Sequence, residues 1–71
     1  GDLIVVQHAE NAADGEMVVA LMNGEVTLKR IYRDGRSSIR LQPANPELPT
    51  IIVPAVDVQV QGIVVGLLRR Y

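Results

Sequence analysis

Lys29 is the side chain of this sequence best placed to do chemistry, and its cross-strand neighbours are the reason. The Asn23-Gly24 pair lies between two apolar runs, the strongest short-range signal for a two-residue hairpin. Such a turn pairs Met22 with Glu25, Ala20 with Thr27 and Val18 with Lys29. Alternation along the strand then sets Lys29 on one face with Thr27 and Ile31, opposite Val18 and Ala20. An ammonium on a face of small apolar groups either reaches out to water or loses its solvation. Loss of solvation favours the neutral amine, which is the form that acts as a general base. From spacing alone the plainer reading is a solvated lysine of the kind that keeps strands soluble. Arg30 and Tyr32 point to the other face, and the pattern gives them no chemistry.

The remaining polar side chains carry weaker signals. His8 opens a polar stretch and reads as a solvated side chain. Glu10, Asp14 and Glu16 gather around one turn, but their spacing is not that of a calcium loop. Ser37 and Ser38 follow an Asp34-Gly35 turn, where hydroxyls satisfy local backbone. Arg69-Arg70 is too short to form a basic patch. No cysteine is present, which removes disulfides, thiolate metal sites and thiol nucleophiles together. With His8 the one histidine, no metal-ligand spacing stands out, and no cofactor is implied.

The elements that must position Lys29 are strands. Eleven Val and six Ile in 71 residues favour a pleated surface, where stiff β-branched side chains fit. Residues 3–7 form a nearly continuous apolar run and read as a strand buried on both faces. Residues 8–15 are polar and end in an Asp14-Gly15 turn; 16–22 and 25–33 make the central hairpin; 37–42 is a shorter strand. Prolines 43, 46, 49 and 54 turn the next stretch into loop, with at most an edge strand at 51–53. Residues 57–71 alternate at first and become solidly apolar after Gly62. Gly62 and Gly66 in this run mark a bulge or a close backbone approach. No helical periodicity exceeds two turns. The expected fold is all-β, of twisted, mostly antiparallel sheets.

A chain of 71 residues is one small domain. Its net charge of -1 and its two tyrosines as the sole aromatics argue against a nucleic-acid surface on this segment. No apolar run reaches the roughly 18 residues of a membrane-spanning helix. The opening Gly1-Asp2, without a start Met, reads as the beginning of a piece of something longer.

Several blocks in order resemble the LexA/UmuD-type self-cleaving serine peptidases of the S24 family. They are Gly1-Asp2-Leu3, Asp14-Gly15-Glu16-Met17-Val18-Val19-Ala20, Gly24-Glu25-Val26-Thr27-Leu28-Lys29-Arg30, Arg40-Leu41-Gln42-Pro43-Ala44-Asn45-Pro46 and Gly62-Ile63-Val64-Val65-Gly66. The Val-Thr-Leu-Lys-Arg block followed by Leu-Gln-Pro-x-Asn-Pro carries most of the likeness. The resemblance implies a LexA/signal-peptidase-like fold, with residues 1–71 as the carboxy-terminal part of a peptidase and dimerisation domain. It also implies that Lys29 is the general base of a Ser-Lys dyad that cuts an Ala-Gly bond in the protein's own linker. The family's serine lies in a Ser-Met pair about nine residues ahead of the Gly-Asp block, upstream of residue 1, so this chain taken alone is expected to be inactive.

The family is that of SOS-type repressors, so the resemblance brings further expectations. These are a bacterial cytoplasmic, nucleoid-associated parent, stimulation by the RecA filament, and operator DNA held by an amino-terminal domain outside this sequence. A homodimer is expected through Ile63, Val65, Leu67, Arg69 and Tyr71, because a two-sided apolar terminal strand at a sheet edge invites pairing with its own copy. The same run could instead fill the domain's own core. A different function class also stays open: a non-catalytic all-β interaction module, or the related domain of a UmuD-like protein or phage repressor.

Overall fold

A computed structural model describes residues 2–69. Six strands form one antiparallel sheet: β1 (Asp2–His8), β2 (Met17–Met22), β3 (Glu25–Asp34), β4 (Ser38–Pro43), β5 (Ile51–Pro54) and β6 (Gln59–Arg69). A single 3-10 turn, Ala55–Asp57, leads into β6. The spatial order is β1-β6-β2-β3-β4-β5. The all-β expectation holds, and no helix exceeds that one turn among the described residues.

The central hairpin forms in the expected register: Met22 opposes Glu25, Ala20 opposes Thr27 and Val18 opposes Lys29. Asn23 and Gly24 both take positive φ, 52° and 78°, as the favoured two-residue turn requires. From β3 the chain returns as β4, which sets Ile31 opposite Leu41 and Lys29 opposite Pro43. One face of this sheet carries the core, where Val18, Ala20, Ile31 and Leu41 are buried. Ala12 and Val58 from the connections, with Ile39, Val53, Val60 and Ile63 from the strands, close around them.

Two expectations are corrected. Residues 3–7 do not lie buried on both faces: β1 is the outermost strand, and Leu3, Ile4, Val5 and Val6 are 52%, 46%, 42% and 45% exposed. A continuous apolar run shows that both faces are greasy; it does not show that anything covers them. The last strand is not at an edge either. It lies between β1 and β2, pairing Gln59–Ile63 with β2 and Gly62–Arg69 with β1. Its eleven residues are long enough to take two shorter partners on opposite sides. Only beyond Ile63 does its β2-facing side lack a strand among the described residues.

Register slips beside Val5 and beside Val19 let β6 bend across both partners. At Gly62 the approach is too close for a side chain, since a Cβ there would sit 2.9 Å from the Gln7 carbonyl oxygen and collide with Val6. The opposite edge of the sheet is guarded differently. β5 is four residues long and ends in Pro54, which has no N–H to offer an incoming strand.

Candidate functional site

Lys29 stands in the middle of β3 on the core-bearing face. Its register partners are Val18 on β2 and Pro43 on β4, and Thr27 and Ile31 flank it two residues away on the same face. Val18 is 0% exposed and Ile31 7%, while Lys29 itself is half-buried. The half-buried lysine thus shares its face with buried apolar residues on both sides along the ladder, Ile31 on its own strand and Ala20 opposite Thr27. A lysine so placed can be uncovered as a solvated cation or covered by a further segment and held as a neutral base.

Thr27, opposite Ala20, adds a feature that the sequence pattern places but does not interpret. Its Oγ1 is buried and has no hydrogen-bond partner. Leaving a buried hydroxyl unpaired costs roughly 1–3 kcal/mol, so such an atom is a ready partner for whatever polar group approaches this part of the face. Two residues along a strand is about 7 Å, so the Thr27 hydroxyl and the flexible Lys29 amine serve the same patch of surface. Parity alone sets Thr27 beside Lys29; its burial without a partner is visible only in three dimensions.

No serine joins them. The chain's two serines are Ser37 and Ser38, at the far turn of the β3–β4 hairpin. Ser38 opposes Asp34, whereas Lys29 opposes Pro43, a separation of about 17 Å along β4. The Ser37 carbonyl accepts the Ala55 N–H at 2.7 Å, which ties this turn to the end of β5. That bond is made by the Ser37 backbone, and neither serine is in register with Lys29.

The acidic loop, residues 9–16, is also put to structural use. Asp14 Oδ1 accepts the Arg33 N–H at 2.8 Å, and Glu16 Oε1 accepts the Ala13 N–H at 2.9 Å. Backbone bonds from Gly15 N to the Ile31 carbonyl and from Ile31 N to the Glu16 carbonyl lash the loop to β3. Arg30 donates to the Gly15 carbonyl from the other face. His8 is exposed at the end of β1.

The expected dimer residues fall into different settings. Ile63 packs against the chain's own core and is not free for an interface, because β2 holds that part of β6 in place. Val65 and Leu67 are 56% and 53% exposed, on the part of β6 whose second side carries no strand among the described residues. Arg69 ends the strand, and Tyr71 lies outside the described residues.

Comparison with known proteins follows the same outline. Residues 1–65 match the family model described as Peptidase S24-like. Across its whole length the chain is 54% identical to the LexA repressor of Koribacter versatilis, covering 34% of that protein. It is 50% identical to the LexA repressor of Granulibacter bethesdensis, covering 29%. Over 99% of its length it is 41% identical to the LexA repressor of Thermotoga petrophila, covering 35%. The chain spans about a third of the length of these curated relatives.

Proposed function

The chain belongs to the Peptidase S24-like family, and from that premise we propose that it is the carboxy-terminal part of the latent self-cleaving peptidase and dimerisation domain of a LexA-type repressor. Lys29 is the general base. The observation that carries this reading is its half-buried seat opposite fully buried Val18 on the core face of β3.

In this reading a serine from an upstream segment is laid over the Thr27–Lys29 margin. That segment covers the amine, which favours its neutral form. The neutral Lys29 Nζ takes the proton from the serine oxygen as that oxygen attacks the alanine carbonyl of an Ala-Gly linker. Collapse of the tetrahedral intermediate breaks the C–N bond, and the lysine returns the proton to the departing glycine nitrogen. A water then hydrolyses the acyl-enzyme with the lysine again as base. The buried, unpartnered Thr27 hydroxyl two residues away on the same face supports this reading, since a hydroxyl can donate to a neutral nitrogen or accept from an ammonium.

Dimerisation uses the distal half of β6. Val65 and Leu67 are exposed beside a strand side with free backbone groups, and antiparallel pairing with a second copy satisfies both. Stimulation by the RecA filament, operator binding by a separate amino-terminal domain and a cytoplasmic, nucleoid-associated setting complete the reading by likeness to the LexA repressors. The test is self-cleavage of the full-length protein, followed by gel electrophoresis with and without Lys29→Ala. The substitution is expected to abolish cleavage while the protein remains folded and dimeric.

A further inference from the structure

Two cavities of about 240 and 420 Å³ meet at Arg33, on the same face as Lys29 but about 13 Å further along β3. The smaller is lined by apolar Ile31, Ile39, Val58 and Val60 and by the acidic Glu10 and Asp14. The larger continues past Arg33 to Arg36 and Ser38 in the β3–β4 turn. Arg33, Ile39 and Ala55 line both, so the two form one groove; Glu10 and Asp14 line only the smaller cavity, Arg36 only the larger, and Arg33 stands where they meet.

Its walls are already in place. The acidic loop is tied to β3 by the Asp14 bond to the Arg33 N–H and by the Gly15 and Ile31 backbone bonds. The opposite wall is tied by Ala55 N to the Ser37 carbonyl and by Val58 N to the Ala55 carbonyl. The side-chain hydrogen bonds among the described residues use neither the Arg33 nor the Arg36 guanidinium. Arg33 and Arg36 therefore line a preformed, partly apolar trough with guanidinium groups free of side-chain hydrogen bonds, and planar guanidinium forks suit bidentate capture of carboxylate.

We propose that this groove binds an acidic peptide segment of a partner protein, its carboxylate held by Arg33 and Arg36 and a neighbouring apolar side chain lying on Ile31, Ile39 and Val58. Glu10 and Asp14 repel a carboxylate in the smaller cavity, which favours the larger one, where Arg33 and Arg36 carry the charge. The same two acids and the absence of an aromatic lining disfavour nucleic acid, which needs a continuous basic track and stacking platforms. A preformed groove spares the partner the cost of ordering it.

The experiment is an amide-resolved NMR titration of the chain with acetyl-Leu-Asp-Leu-Glu, beside its neutral counterpart acetyl-Leu-Asn-Leu-Gln-amide. The acidic peptide is expected to move the amide signals of Ile31, Ile39 and Ala55, with affinity that falls as salt is raised. Arg36→Gln and Arg33→Gln are each expected to weaken binding about tenfold or more, a loss of roughly one charge-assisted pair. Arg40→Gln, on the opposite face against Tyr32, should leave it unchanged. Arg36 is exposed in a turn, so its substitution remains decisive if the Arg33 variant loses signal dispersion. Absence of binding, equal binding of the neutral peptide, shifts confined to the outer face, wild-type affinity in Arg36→Gln, or the same shifts from sodium phosphate at matched ionic strength would each overturn the proposal.

Discussion

Val18 and Lys29 oppose each other across the β2–β3 ladder, one fully buried and the other half-buried. The pair lies within the core-bearing face, between Ile31 on one side and Ala20 opposite Thr27 on the other. A half-buried lysine there still has part of its side chain open to a nucleophile delivered from outside. The relationship ties the hairpin's turn chemistry directly to the proposed catalysis, since a slip of one residue at Asn23-Gly24 would turn Lys29 to the other face.

The turn is therefore a sensitive point. Gly24 has φ 78°, a conformation that costs an L side chain roughly 1–2 kcal/mol. Gly24→Ala is expected to lower stability by about 1 kcal/mol in a denaturant titration. An unchanged midpoint would mean that the turn does not hold the register.

The close approach at Gly62 predicts a larger loss. A methyl group there meets the Gln7 carbonyl oxygen at 2.9 Å and collides with Val6, so β1 and β6 must separate locally. Gly62→Ala should destabilise by about 1–3 kcal/mol, the range for overpacking, and hydrogen exchange should quicken in β1 before β3. Uniform exchange rates across the sheet would contradict this.

Thr27→Val separates a structural role from a positioning one. Valine keeps the shape and removes the unpaired buried hydroxyl, so stability should hold or rise by up to about 1 kcal/mol. If the hydroxyl orients the Lys29 amine, self-cleavage of the full-length protein should nonetheless slow about tenfold, and Thr27→Ser should restore most of it. A cleavage rate unaffected by Thr27→Val would leave Thr27 without that role.

Charging the distal half of β6 tests the proposed dimer. Val65→Lys or Leu67→Lys in the full-length protein should shift sedimentation toward monomer, because a lysine at an unpaired strand side discourages pairing. The β2–β3 hairpin should keep its NMR dispersion. An unaltered dimer would place the interface elsewhere.

Much of this geometry is legible in the residues. Asn23-Gly24 sets the hairpin register, and alternation then brings Lys29 to the core-bearing face opposite Val18. The paired glycines of β6 announce its irregularities. What the pattern does not carry is the order of strands. Leu3 to Val6 and Ile63 to Leu68 are both apolar on two faces, and nothing local says which of the two lies outermost. The structure makes β1 the outer strand and commits Ile63 to the core. Thr27 is invisible for a different reason: its importance rests on a missing hydrogen-bond partner, a property of the whole sheet and not of a spacing.

The central claim is that Lys29 is the base of a self-cleavage reaction, and the pH profile of that reaction tests it most directly. A general base acts in its unprotonated form, so the rate of a lysine-assisted self-cleavage should climb as pH is raised. Self-cleavage of the full-length protein should rise in this way and should vanish at every pH in Lys29→Ala, with circular dichroism and dimerisation preserved. A folded Lys29→Ala protein that still cleaves itself with the same pH profile would contradict the account and put the base on another residue.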